Sequence, residues 1–374
     1  MNVNSLSRSV IDKTKLLNNI QSFKKIISKN TNFMAVIKAN AYGHGAVELA
    51  KEMEAKEAVN YFGVAQLKEA VELRQAKIKR PILVFNESPL EDIALAIKNK
   101  ITMTVFSKKM AEEIVHQAES LKIPALVHLK IDSGMSRIGL SNFEDLLEIY
   151  QLMNSDYVKL EGIYTHFADA NEKSPNNFSH EQFRIFQDIL NKFEEKSIHF
   201  ELRHACNTAA TINYPEYQLD MVRVGIGLYG FNPTLSNQEK ISLDPIQNIH
   251  ARVMMVKDFP AGKSVGYNRN YFSKEEMKIA TIGIGYADGV AKSLSNKGYF
   301  RYQGHKLPII GDVCMDQTML DCSGFSELKA GEFLSYFGDP KEDYSSATEI
   351  AQLINSSNYE LLCRIGDRVE RIYK

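Results

Sequence analysis

The chain has only four cysteines in 374 residues, Cys206, Cys314, Cys322 and Cys363, and no two form a CxxC pair. Such wide spacing fits neither a disulfide framework nor a zinc site, and no metal site is expected. Net charge is almost absent, since 45 Lys and Arg stand against 46 Asp and Glu. Nucleic acid and anionic membranes require a concentrated basic surface, so neither is an expected partner. No run approaches the roughly 18–20 apolar residues of a membrane-spanning helix. The opening MNVNSLSRSVID lacks the apolar core of a signal peptide, so a cytoplasmic location is expected.

The composition that remains is ordinary for a globular protein, 44% hydrophobic and 24% charged, in a chain long enough for one large domain and a smaller one. Up to residue 230, two periods alternate. Short apolar or β-branched runs occur at FMAVI (33–37), YFGVA (61–65), PILVF (81–85), ITMTVF (101–106), ALVHLKI (125–131), LEGIYTHF (160–167), HFELRHA (199–205) and MVRVGIG (221–227). Helix-period segments separate most of them. Before the first run, Leu16, Ile20, Phe23 and Ile27 form a single apolar stripe. The last connecting segment, NTAATIN, is short and only weakly helical. Strands alternating with helices fit an open doubly wound sheet or a closed (β/α)8 TIM barrel. The count of eight, and the absence of an early GxGxxG, favour the barrel.

Past residue 235 the texture becomes strand-like, in HARVMMVKDF, KIATIGIGYADG, YFRYQGHKLPII, TMLDC, EFLSYFG, YELLCRI and RVERIYK. One helix, ATEIAQLIN, follows a capping-box pattern with Ser346 three residues before Glu349. The expected fold is therefore α/β, an N-terminal (β/α)8 barrel over residues 10–235 followed by a mostly β domain over 236–374.

Polar residues gather at the carboxyl ends of the barrel strands, where such barrels keep their active sites. Lys38 follows the first strand. Strict alternation in VHLKID puts His128, Lys130 and Asp132 on one strand face. Arg137 follows in SGMSRIGL, His166 ends the sixth strand, Asn207 and Thr208 follow the seventh, and Arg223 and Gly225 lie on the eighth. Thr208, Gly225 and Ile226 offer a hydroxyl and backbone N–H groups where barrels commonly hold phosphate. Taken singly, each residue has a plainer reading: a strand-end lysine snorkels, a histidine is hydrogen-bonded structure, Arg137 and Asp132 pair, and Gly225 marks a turn. Their convergence on one end of one barrel, with no P-loop, points instead to pyridoxal 5'-phosphate held on Lys38 as a Schiff base.

MAVIKANAYGHG closely resembles the cofactor-lysine segment of alanine racemases. The resemblance continues through HLKIDSGMSRIG, THFADA, HACNTAA, VRVGIGLYG, SVGYNRNY, IGYADG, GDVCMDQ and YELLCRIGDRV, in family order and over essentially the whole chain. It implies a PLP-dependent racemase that interconverts L- and D-alanine and supplies D-alanine for peptidoglycan. It also implies a homodimer with sites shared between subunits, and residues 1–9 packed with the C-terminal domain. Lys38 would carry the cofactor and act as one base, its ordinary pKa of about 10.4 depressed by desolvation and positive neighbours. Tyr267 would be the opposed base, contributed by the second subunit. Tyr42, Thr208, Gly225, Ile226 and Tyr359 match phosphate ligands, and Asn207 stands beside them. Arg223, which only donates, would leave the cofactor's ring nitrogen unprotonated, and His166 would link it to Tyr267. Arg137 matches the residue near the cofactor's phenolic oxygen and the substrate carboxylate. Lys130 matches a lysine carbamylated in many relatives (N6-carboxylysine), which resolves the repulsion of two neighbouring cations. Tyr286, Met315 and Asp316 match residues lining the substrate entrance.

Three positions depart from the family pattern. Threonine stands at 208 where serine is usual, GYNRNY replaces the commoner SYG, and RVER replaces RVPR. Two other readings compete. A barrel-type PLP decarboxylase would pair the ring nitrogen with an acidic residue, against Arg223. A non-catalytic PLP carrier would lack both the second domain and a second base.

Overall fold

The computed structural model describes residues 5–174, 176–235 and 237–374; the first four residues of the stretch expected to pack with the C-terminal domain lie outside these. The chain folds as two compact units. One comprises Leu16–Ala41 and Ala46–Leu243, the other the described residues up to Lys15, Tyr42–Gly45 and Asp244–Lys374.

The first unit holds the expected barrel. Its strands are β2 (Asn32–Val36), β3 (Tyr61–Val64), β4 (Ile82–Val84), β5 (Thr102–Val105), β6 (Ala125–Lys130), β7 (Val158–Tyr164), β8 (Leu202–His204) and β9 (Met221–Val224), after an N-terminal β1 (Ser7–Ile11) of the other unit. They pair in parallel in the order β8-β7-β6-β5-β4-β3-β2-β9. At the β8–β9 seam, Asp220 N–H donates to Arg203 O at 3.1 Å and Arg223 N–H to Cys206 O at 3.0 Å. Strands buried on both faces read as short continuous apolar runs, which explains their brevity and composition. Met34, Tyr61, Leu83, Tyr164 and Met221 fill the interior as one cluster. Of the surrounding helices, Phe178–Glu195 starts on Asn177, whose side chain accepts from Ser179 N–H at 2.8 Å. NTAATIN does form a helix, Thr208–Asn213, capped by Asn207.

In the second unit a 13-residue strand, β10 (Gln247–Phe259), pairs antiparallel with β1 and with two further strands, β13 (Met277–Ile282) and β17 (Phe333–Ser335), that follow the short pair β11 (Ser264–Val265) and β12 (Tyr271–Phe272). YFRYQGHKLP folds as a hairpin of β14 (Tyr299–Tyr302) and β15 (His305–Pro308). Its two-residue turn has Gln303 and Gly304 at φ 49° and 79°, the conformation that matches strand twist. β16 (Thr318–Asp321) pairs with β13, and β18 (Glu370–Tyr373) runs parallel to β1. The expected helix is Ala347–Leu353, with Ser346 Oγ accepting from Glu349 N–H at 3.0 Å.

One expectation is corrected. YELLCRI is not a strand: Asn358–Cys363 is a helix whose first turn is capped by Ser357 and which buries only Leu361 and Leu362. Among the described residues, no helix is long and apolar enough to cross a membrane.

Candidate active site

Lys38 stands just beyond β2, and the chain then turns left-handed for four residues, Ala39, Asn40, Ala41 and Tyr42, at φ of 52°, 52°, 54° and 53°. None is glycine, and each L-residue held there costs about 1–2 kcal/mol. Such a turn persists only where its surroundings fix it.

Arg223 on β9 is buried, with 3% of its surface exposed. Its guanidinium donates to His204 Nδ1 at 2.8 Å, Thr165 O at 2.8 Å, Ala205 O at 3.0 Å and His166 Nδ1 at 3.1 Å. Because arginine has no acceptor, both imidazoles must present a lone pair at Nδ1, which makes the neutral form of each the Nε2–H tautomer. His204 Nε2–H therefore donates to His128 Nδ1 at 2.9 Å. His128 in turn carries its proton on Nε2, a buried atom without a hydrogen-bond partner among the described residues. Tyr164 stacks on His204 at 4.7 Å with the rings 3° from parallel. Thr104 donates to Val84 O at 2.6 Å, so the Tyr164 phenol, 2.9 Å away, donates to Thr104.

These histidines are held neutral. Burial, and then the charge of Arg223, lowers His128 to about 3 and carries His204 well below the usual imidazole range. The unfolded chain therefore binds these protons first as pH falls. Stability contributed by the neutral rings is complete above about 6.5 and drains away below it, at about 1.4 kcal/mol per pH unit for each histidine. The urea midpoint should fall clearly between pH 7 and pH 5. An unchanged midpoint would contradict the neutral assignment.

Lys130 ends β6 with 3% exposure, its Nζ donating to Ile131 O and lying 5.2 Å from the centre of the Tyr164 ring. Burial first, then Arg223, pushes its pKa down to about 7; Asp132 opposes the shift and Arg137 adds to it. Arg137 is exposed on the following loop. That loop is shaped by Asp132, whose Oδ1 accepts from Gly134 N–H at 2.9 Å and Ser136 N–H at 3.0 Å.

Across the barrel mouth two short helices begin together. Asn207 Oδ1 caps the first by accepting from Ala210 N–H at 3.0 Å, and Thr208 is its first residue. Gly225 N–H donates to Thr208 Oγ1 at 3.0 Å, and Ile226 opens the second, Ile226–Tyr229. A Cβ at Gly227 would lie 2.4 Å from the Phe23 ring and 2.9 Å from Thr208 Cγ2, so this approach admits only glycine. First-turn N–H groups lack intrahelical acceptors, and two such starts joined through a hydroxyl form a donor cradle for an anion. His166 is lowered by burial and then by four cations in turn, Arg223, Arg137, Lys130 and Lys38. So much positive charge around one neutral ring fits a group that brings negative charge, such as a phosphate ester.

The remaining sequence-derived residues belong to the other unit. Tyr42 is buried, its ring 6.2 Å from that of Tyr359, and burial raises its phenol above the usual range. Tyr359 lies in the first turn of the corrected helix. Tyr267 is 70% exposed. It starts a tight turn in which Asn268 and Asn270 donate to the two oxygens of Asp312 at 3.0 and 2.7 Å, so the unusual NRN run has its own anchor. Tyr286 N–H donates to Cys314 O at 2.9 Å and Ala287 N–H to Met315 O at 3.1 Å, tying Tyr286 and Met315 together. A Cβ at Gly285 would come within 2.3 Å of both those carbonyls. Asp316 pairs with Arg368 at 2.8 Å.

Sequence reading missed His204, Tyr164, Thr104 and Asp312 as members of these constellations, and it missed Glu69, whose Oε1 accepts from Ala39 N–H beside Lys38 at 2.6 Å. Only Glu69 left a local signal, as the third residue after the helix-capping Gln66.

Comparison with known proteins identifies the family. The family model "Alanine racemase, N-terminal domain" matches residues 11–233, and "Alanine racemase, C-terminal domain" matches 246–373. Alanine racemase 1 of Oceanobacillus iheyensis is 38% identical over 357 residues, covering 95% of this chain and 94% of its own. The solved alanine racemase of Clostridium difficile superposes with a TM-score of 0.94 at 37% identity, over 100% of this chain and 97% of that one. An alanine racemase structure from Bartonella henselae with covalently bound pyridoxal phosphate has a TM-score of 0.86 at 25% identity, over 99% and 100% of the two chains. Both units are matched nearly end to end, and the chain belongs to the alanine racemase family.

Proposed function

We propose that this enzyme interconverts L- and D-alanine as a homodimer, with pyridoxal 5'-phosphate bound to Lys38. The observation that carries the reading is the buried Arg223, which donates every hydrogen bond it makes and stands against two histidines that burial first, and then its charge, keep neutral. The cradle of Thr208, Gly225 and Ile226 suits the phosphate, since Gly225 N–H holds Thr208 Oγ1 and leaves that hydroxyl's proton to donate, and the resemblance adds Tyr42 and Tyr359 to that role. The relative from Bartonella henselae supports the cofactor. When bound, the cofactor supplies an electron-poor ring that acidifies the Cα–H of an attached amino acid.

Inverting Cα requires a proton to leave one face and another to arrive on the opposite face. A base fixed on one side cannot readily do both, so Lys38 serves one face and Tyr267 of the second subunit the other. Arg223, unable to accept or surrender a proton at neutral pH, would donate to the ring nitrogen of the bound cofactor without protonating it. A weakened electron sink disfavours competing chemistry, including decarboxylation. His166 connects Arg223 to Tyr267, Arg137 orients the substrate carboxylate, and Asn207 positions the turn bearing Thr208. Tyr286, Met315 and Asp316 narrow the entrance to a small amino acid. The same reading places the enzyme in the cytoplasm, supplying D-alanine for peptidoglycan.

Lys130 enters as a carbamate. With its pKa near 7, the neutral amine attacks carbon dioxide, forms an N–C bond and releases one proton to solvent. The product is an anion among cations, suited to orienting Arg137. Isotope-labelled bicarbonate should give one carbamate carbonyl resonance, absent in Lys130→Arg; the same spectrum from both proteins would refute the modification.

The function is tested by incubating the cofactor-loaded protein with L-alanine and following optical rotation and carbon dioxide. Racemisation removes rotation without gas. Gas would indicate a decarboxylase, and neither change a carrier.

A further inference from the structure

We infer that Glu69 is a positioning residue for Lys38, clamping the turn that aims the lysine; this rests on the function proposed above. Lys38 is bracketed by hydrogen bonds from the backbone N–H groups of its two neighbours. On one side Ile37 N–H donates to Gly63 O of β3 at 2.9 Å. On the other, Ala39 N–H donates to Glu69 Oε1 at 2.6 Å. The second oxygen of Glu69 accepts from Ala65 N–H at 2.8 Å and Gln66 N–H at 2.9 Å. One carboxylate thus joins three backbone donors, two at the start of its own helix, Leu67–Gln75, and one 30 residues away.

A capping glutamate ordinarily reaches back only to its own helix start. Here it also holds the first residue of a run of four left-handed, non-glycine residues. Asn40 fixes the same run further along, its Oδ1 accepting from Ala46 N–H at 2.8 Å. The turn begins immediately after Lys38, so releasing Ala39 leaves that side of the lysine backbone to the Ala41 N–H to Ile37 O bond at 2.9 Å.

The charge and length of the side chain make the idea testable. Glutamine offers a single carbonyl oxygen, so Glu69→Gln presents an amide N–H₂ to one of the two donor groups it now satisfies. Glu69→Asp is one methylene shorter. It keeps a carboxylate for the nearby Ala65 and Gln66 but withdraws from Ala39, which separates helix capping from lysine positioning.

Amide hydrogen exchange on the free protein should rise about tenfold or more across residues 37–46 in both variants, while Glu69→Asp leaves helix 67–75 protected. In steady-state assays with alanine, kcat should fall about 100-fold with KM little changed, the mark of a displaced reacting group. Unchanged exchange at 37–46 in both variants would overturn the inference. So would faster exchange with kcat intact. If wild-type protein shows no racemisation but Glu69→Asp still loosens 37–46, the clamp stands and the function reading fails.

Discussion

Lys38→Ala will fold normally and racemise alanine about 10 000-fold more slowly than wild type, because under the proposed function the substitution removes both the covalent anchor and one of the two bases. The fold should tolerate the change. The strand before the lysine is fixed by Ile37 N–H to Gly63, and the turn after it by Ala39 N–H to Glu69, and neither bond uses the lysine side chain. Lys130 is the rival amine, lying near the same cations with its pKa lowered to about 7. That lowered pKa leaves much of Lys130 unprotonated at neutral pH, but the residue is 3% exposed and its Nζ is turned onto Ile131 O. Borohydride reduction of the cofactor-loaded protein, followed by peptide mapping, decides between them. The cofactor should be trapped on the peptide containing Lys38, with trapping lost in Lys38→Ala and kept in Lys130→Arg. Trapping on Lys130 would overturn the assignment.

What the sequence made legible follows from which interactions are local. The barrel strands could be read because parallel strands covered on both faces become short apolar runs. Lys38, His166 and Arg223 could be placed because strand ends fix position along the chain. β1 was hidden because two of its three buried positions are Ser7 and Ser9, so burial alternates where hydrophobicity does not. Ser9 is satisfied by Gln247, 238 residues away. The helix Asn358–Cys363 was misread because a single turn with one apolar pair carries too little period to separate from a strand. The polar support was equally hidden: His128 meets His204 across 76 residues and Tyr164 meets Thr104 across 60. Nothing in either local sequence announces such a partner, and only closure of the barrel brings them together.

The proposed opposed base, Tyr267, gives the second large effect. Tyr267→Phe removes one hydroxyl from a ring that is 70% exposed, while Asn268 and Asn270 remain fixed on Asp312, so neither packing nor the turn should change. Racemisation should nevertheless fall about 1 000-fold, the scale of losing a positioned acid/base. The informative measurement is hydrogen exchange at Cα in deuterated water, started separately from L- and D-alanine. A one-sided enzyme exchanges the enantiomer whose proton faces the remaining base and spares the other. Lys38 and Tyr267 variants should therefore spare opposite enantiomers wherever enough cofactor binding survives for exchange to be read. Equal loss with both enantiomers in Tyr267→Phe would mean that the phenol is not a base for one face. The proposed sharing of sites between two subunits adds a further demand. Lys38→Ala and Tyr267→Phe are each inactive alone, but a dimer containing one of each has one site with both groups intact. Random reassortment of the two should restore about a quarter of wild-type activity, since half of the dimers are mixed and each contributes one working site of two. Mixtures that reassort without recovery would place both bases on the same subunit.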